Sequence, residues 1–111
     1  MSYPLYNPSE TRYYSSMIQF YFNKSPDLMF QGEYEIDEKI FTFGNSMNCD
    51  VIIQDQLIES VHLIFEATEQ GLYVSSKDFT FFHLNQKKIS GKKLLKLNDH
   101  LQIGETKFSL S

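Results

Sequence analysis

The feature that most constrains this chain is the rhythm of its apolar residues, which come in short aromatic and β-branched runs broken by polar turns. No segment keeps apolar residues at helical spacing through three capped turns. Residues 57–67 come nearest, and their β-branched and aromatic density assigns them to strand. Met17-Ile18-Gln19-Phe20-Tyr21-Phe22 ends in the turn chemistry of Asn23-Lys24-Ser25-Pro26-Asp27. Glu33-Tyr34-Glu35-Ile36 alternates acidic and apolar residues as a half-buried strand does, and Ile40-Phe41-Thr42-Phe43 halts at Gly44. After a loop over 45–48, Cys49-Asp50-Val51-Ile52-Ile53 reads as a short buried strand. Residues 62–67 and 72–75 form a hairpin closed by Glu69-Gln70-Gly71. A further apolar run covers 79–84, and 85–93 is a polar, lysine-rich link with one apolar anchor, Ile89. Runs at 94–97, 100–103 and 106–110 finish the chain. This pattern predicts an all-β sandwich or barrel. The ordered domain is expected over 17–111, behind a flexible arm of residues 1–16 in which Pro, Tyr and Ser cluster.

Size and charge narrow the function classes. A chain of 111 residues supplies one core. Its single cysteine, Cys49, has no partner for an intrachain disulfide, which favours a reducing compartment. No apolar stretch approaches the length needed to span a bilayer, and the opening residues hold no signal-peptide core. Up to Ser76 three basic residues face eleven acidic ones, a net −8; from Lys77 onward seven lysines face three acids, a net +4. With an acidic balance and one arginine, the chain is a poor match for a nucleic-acid backbone. The asymmetry instead suits contact between proteins.

Chemistry-bearing residues are few. His62 has no neighbouring acid or nucleophile in a catalytic pattern, so its expected role is to tie a loop to the sheet. His83, His100 and Cys49 lack metal-ligand spacing, and the five glycines stand apart rather than forming a phosphate cradle. No catalytic residue, metal or cofactor is expected. Lys87, Lys88, Lys92 and Lys93, with Lys96, form the one dense charge feature. They read either as a solvated guard on an edge strand or as a patch for an acidic partner or, with a bilayer nearby, for anionic lipid. Glu33, Glu35, Asp37 and Glu38 form the acidic counterpart, read either as a solvated face or as a patch that pairs with a neighbour's lysines.

The order of these features resembles the forkhead-associated (FHA) domain. Phe41-Thr42-Phe43-Gly44, then Cys49-Asp50-Val51-Ile52-Ile53, then Ser60-Val61-His62-Leu63 resemble its front half. Leu84-Asn85 with Ile89, and Leu97-Asn98-Asp99-His100-Leu101-Gln102-Ile103-Gly104, resemble its closing motifs. The resemblance implies an FHA-like sandwich of about ten to eleven short, mostly antiparallel strands, in which Gly44 and His62 are structural.

The departures from that family fall on its phosphothreonine site. Where the family places an arginine after the glycine, this chain has Asn45; where it places a phosphate-binding serine three residues before the histidine, this chain has Glu59. Near Phe79-Thr80-Phe81 it lacks the family's asparagine-glycine pair. A phosphothreonine needs charge-assisted donors, and two like charges about 4 Å apart repel by about 4 kcal/mol at an effective dielectric near 20. The expected site, Asn45, Ser46, Glu59 and Ser60, is therefore degenerate. Phe43-Gly44, the 49–51 strand, Ile58-Glu59-Ser60-Val61-His62-Leu63 and Gln70-Gly71-Leu72 resemble one branch of the superfamily. That branch is the cytosolic N-terminal domain of the type III secretion inner-membrane ring protein, the SctD or YscD kind. This resemblance implies a non-catalytic scaffold on the cytoplasmic side of the bacterial inner membrane. Its implied partners are cytosolic sorting-platform proteins and ring neighbours, and a membrane-spanning helix is implied further along the full-length protein. The alternative is a phosphopeptide reader with a rearranged site using Asn45, Ser46 and Ser60.

Overall fold

The structure, a computed structural model, describes residues 17–77 and 79–111. The expected arm over 1–16 lies outside the described residues. Among the described residues eleven strands form two facing sheets: β1 (Met17–Lys24), β2 (Gly32–Asp37), β3 (Ile40–Gly44), β4 (Val51–Ile52), β5 (Leu63–Thr68), β6 (Gly71–Ser76), β7 (Phe82–Leu84), β8 (Lys87–Ile89), β9 (Lys92–Leu94), β10 (His100–Ile103) and β11 (Thr106–Leu110). One sheet runs β2-β1-β11-β10-β7-β8 and the other β4-β3-β5-β6-β9. This is the all-β sandwich expected from the apolar rhythm. Among the described residues all strand pairs but one are antiparallel; β4 lies parallel to β3, with Phe43 beside Val51.

Alternation builds the core. In β1, Ile18, Phe20 and Phe22 point inward while Met17, Gln19 and Tyr21 stay exposed. Seven phenylalanines, Phe20, Phe22, Phe41, Phe43, Phe65, Phe82 and Phe108, are fully buried. Phe20 meets Phe108 edge-on at 5.5 Å, and Phe41 stacks on Phe65 at 4.9 Å. Such pairs add about 0.5–1.5 kcal/mol each beyond the area they bury. This aromatic layer holds the two sheets in register and leaves the ends of the sandwich to the loops.

Three expectations need correction. The link over 85–93 is not a loop, because Asn85-Gln86 makes a two-residue hairpin turn between β7 and β8 and β9 follows at the edge of the other sheet. Both turn residues have positive φ, 51° and 73°, as a hairpin turn of this hand requires. The run 79–84 contributes strand only from Phe82; Phe79 and Phe81 are exposed. The run 94–97 ends as strand at Leu94, because Asp99 accepts the Lys96 N–H (2.8 Å) and closes a turn. Only Leu95 of that run is buried.

Candidate protein-docking site at the apical loops

The strand directions gather the loops 25–31, 45–50 and 53–62, residues 77 and 79–81, and the turn 104–105 at one end, termed apical. The sequence-predicted residues Gly44, Asn45, Ser46, Glu59, Ser60 and His62 all meet here. The seam between loops 45–50 and 53–62 is backbone on backbone: Asn45 N–H donates to Glu59 C=O (3.1 Å) and Ser46 N–H to Ser60 C=O (3.2 Å). Gly44 lies under this crossing, where a Cβ would fall 2.1 Å from the Ser60 carbonyl oxygen. No side chain fits without moving the main chain. Buried Cys49 donates its thiol to the same carbonyl (2.9 Å).

His62, only 6% exposed, ties two loops together. Its Nδ1 accepts the Glu59 N–H (3.1 Å), and its Nε2 lies 2.7 Å from the Phe81 carbonyl oxygen. A carbonyl only accepts, so Nε2 carries the proton and the ring is the neutral Nε2–H tautomer. The geometry is that of a strut between 53–62 and 77–81, with both ring nitrogens occupied.

The polar groups of the expected phosphate site are placed as follows. Asn45 spends its side-chain amide on the Ile58 carbonyl (2.7 Å). Ser46 Oγ accepts the Asn48 N–H (3.1 Å) in a local turn. Glu59 and Ser60 are exposed. Water screens the exposed Glu59 carboxylate, so its repulsion of a dianion falls below the figure for a pair shielded from solvent.

Sequence reasoning missed two features of this end. Asp55, 3% exposed, accepts from the Leu57 N–H (3.0 Å), the Glu105 N–H (2.8 Å) and the Thr106 hydroxyl (2.8 Å). Asp27 likewise accepts from the Met29 N–H (3.0 Å) and the Gln54 N–H (2.8 Å). These two carboxylates stitch loops 25–31 and 53–62 and the β10–β11 turn into one body. A buried carboxylate is tolerated because backbone donors replace its water. In the sequence both look like ordinary turn aspartates.

The second feature is apolar. Leu28, Met29, Met47, Leu57, Phe79 and Phe81 are large hydrophobic side chains exposed on the apical loops. Leu57, Phe79 and Phe81 line a groove of about 360 Å³, with Glu59, His83 and Gln102 at its polar margin. Phe81 is fixed in place: Lys88 Nζ sits 4.3 Å over its ring, and His83 meets its edge at 5.6 Å. Phe79 holds φ at 63°, an uncommon conformation for an aromatic residue, and is fully exposed.

The lysine cluster lies on edge strands. Lys92 is 3.6 Å from Glu66 and 4.9 Å over the Tyr73 ring, while Lys87 and Lys93 are exposed. Among the described residues no group of three or more His, Cys, Asp or Glu side chains is arranged to hold a metal ion.

Comparison with known proteins follows this geometry. No curated protein matches the chain significantly. Solved structures do, at the level of fold. The cytoplasmic domain of the type III secretion sorting-platform protein PscD from P. aeruginosa superposes with a TM-score of 0.68 at 18% identity, covering 85% of this chain and 78% of that one. The FHA domain of CT664 from Chlamydia trachomatis gives 0.71 at 15% identity over 85% and 95% of the two chains. An FHA domain from Arabidopsis thaliana gives 0.74 at 17% over 86% and 84%. At these identities the likeness establishes an FHA-like sandwich. Residues 31–111 match the sequence family described as the inner membrane component of type III secretion systems, cytoplasmic domain; the chain belongs to that family.

Proposed function

We propose that this domain is a non-catalytic docking module on the cytoplasmic side of the bacterial inner membrane, which receives cytosolic sorting-platform proteins through its apical end. The observation that carries the reading is the exchange of character at that end. The groups expected to greet a phosphate are Asn45, engaged with Ile58 C=O, Ser46, engaged with Asn48 N–H, and an acid, Glu59. Beside them Leu57, Phe79 and Phe81 open an apolar groove. Fixed, solvent-facing aromatic and aliphatic side chains around a groove are the usual anchors of protein contacts. The occupant we assign is a partner segment that inserts apolar side chains between Leu57 and Phe81. The phosphopeptide reading retains the exposed hydroxyl of Ser60, and the position after Gly44 holds Asn45 rather than arginine.

Calorimetric titration of purified sorting-platform proteins against this domain tests the proposal. Leu57→Ser and Phe81→Ser are each expected to weaken binding at least about tenfold, while stability changes by less than about 1 kcal/mol because both side chains face solvent. Unchanged affinity in both variants contradicts the apical reading.

A further inference from the structure

The end opposite the apical loops, termed basal, collects the turns 38–39, 69–70, 85–86 and 95–99. The last of these is braced from two sides. Asp99 accepts the Lys96 N–H (2.8 Å) with one oxygen and the Asn85 side-chain amide (2.9 Å) with the other. Asn85 Oδ1 in turn accepts the His100 N–H (3.0 Å), and the Asn98 N–H donates to Leu110 C=O (2.7 Å). These bonds lock the 85–86 and 95–99 turns together. Between them the chain holds Leu97 out in solvent, 68% exposed, with Leu94 exposed on the adjoining strand β9. Singly, a surface leucine is ordinary. What marks this corner is the charge around it.

Lys96 precedes Leu97, and Lys87 opens β8 directly from the locked turn. Lys87 lies opposite Leu84 and Lys93 opposite Val74, both of which pack into the core. The two lysines therefore project at the seam where β8 and β9 close the side of the sandwich. Among the described residues the ammonium groups of Lys87, Lys93 and Lys96 pair with no carboxylate. The acids nearby are already engaged: Glu66 meets Lys92 at 3.6 Å, and Asp99 spends both oxygens on N–H donors. The other basal acids, Asp37, Glu38 and Glu69, belong to the turns that join β2 to β3 and β5 to β6. A chain of net charge −4 thus gathers unpaired cations around one rigid apolar tip.

Lysines spread over two strands and a turn suit a broad polyanionic surface, and an apolar tip between them suits an interface that admits it below the charged layer. An anionic bilayer offers both. The family to which the chain belongs is the cytoplasmic domain of an inner-membrane component, so such a surface is at hand. We propose that the basal corner rests on the anionic bilayer surface, with Lys87, Lys93 and Lys96 among the head groups and Leu97 dipping beneath them. A tilt toward β8 and β9 keeps the acidic turns off the membrane, and the apical groove faces away from it. Each lysine near such a surface strengthens partition about fivefold, an effect that salt screens. The contact is weak for a free domain and fills when the chain is held beside the bilayer. The inference rests on the cytoplasmic-side placement proposed above and not on the apical groove, so partner binding through Leu57 and Phe81 stands or falls separately.

Tryptophan fluorescence on vesicles tests it. The chain has no tryptophan, so Leu97→Trp supplies a single reporter, with Leu28→Trp on the apical loops as its counterpart. Each is mixed with vesicles of phosphatidylglycerol and phosphatidylethanolamine, or of phosphatidylcholine alone, whose acyl chains carry bromine as a quencher. At low salt the residue 97 reporter is expected to shift to shorter wavelength and to be quenched on the anionic vesicles and not on phosphatidylcholine. The residue 28 reporter is expected to remain unquenched on both. Lys87→Glu with Lys93→Glu, added to Leu97→Trp, is expected to weaken partition at least about tenfold while thermal unfolding stays the same, since both side chains are exposed. Absence of quenching at 97 on anionic vesicles, equal quenching at 28, equal quenching on phosphatidylcholine, or partition indifferent to the lysine reversal overturns the proposal.

Discussion

At the basal end the chain turns in two residues at 38–39, 69–70 and 85–86 and in five at 95–99, whereas at the apical end, besides the two-residue turns 90–91 and 104–105, the loops 25–31, 45–50 and 53–62 run through six to ten residues. Among the described residues the two-residue basal turns bury no ionisable side chain, and backbone bonds tie two of them to neighbouring strands: Ala67 N–H donates to Lys39 C=O (2.7 Å) and Asn85 N–H to His100 C=O (2.8 Å). The apical loops are held by buried Asp27, Asp55 and His62, and they expose apolar side chains around a groove. One end ends strands economically; the other is a rigid surface whose order is maintained by interior polar bonds. The difference separates fold from function, because loops braced from within can vary their outward face without losing the sandwich.

Substitutions can break that contrast in graded steps. Gly44→Ala is expected to have the largest effect, above about 3 kcal/mol by urea unfolding, because its Cβ meets the Ser60 main chain rather than a side chain that can move. The basal Gly71 offers the comparison: its φ of 133° penalises alanine, but the nearest atom is a Leu94 side-chain carbon at 3.3 Å, so Gly71→Ala is expected to cost about half as much or less. Asp55→Ala is expected to cost about 3 kcal/mol, leaving two N–H donors and the Thr106 hydroxyl without their acceptor. Its amide exchange should accelerate at the apical loops first. The smallest effect has the opposite sign. Gln86→Gly at the basal hairpin, where φ is 73°, should raise stability by about 0.5–1 kcal/mol in thermal unfolding, since relief of left-handed strain exceeds the added chain entropy.

The sequence made the core legible wherever alternation was undiluted. In β1, Ile18, Phe20 and Phe22 carry an inward stripe that no polar residue interrupts. The edge strands β8 and β9 were hidden because lysines occupy most of their positions, and the local signal became that of a loop. The stretch 79–81 misled in the opposite direction: its aromatics suggest burial, yet Phe79 and Phe81 face solvent at the apical end. Residue type reports burial preference and carries no mark that distinguishes a core aromatic from a solvent-facing one. Gly44 and His62 could be singled out by order and spacing, but the crossing that crowds Gly44 depends on Ser60, sixteen residues later in sequence and adjacent only after folding. Asp55 left no signal, since its three donors come from Leu57, Glu105 and Thr106.

The central claim is that the apical end has exchanged phosphate recognition for apolar docking. Titrating the domain with a phosphothreonine peptide library and its unphosphorylated counterpart, read by fluorescence anisotropy, addresses it directly. The account predicts no saturable binding that depends on the phosphate. Micromolar, phosphate-dependent affinity that Ser60→Ala abolishes would contradict it.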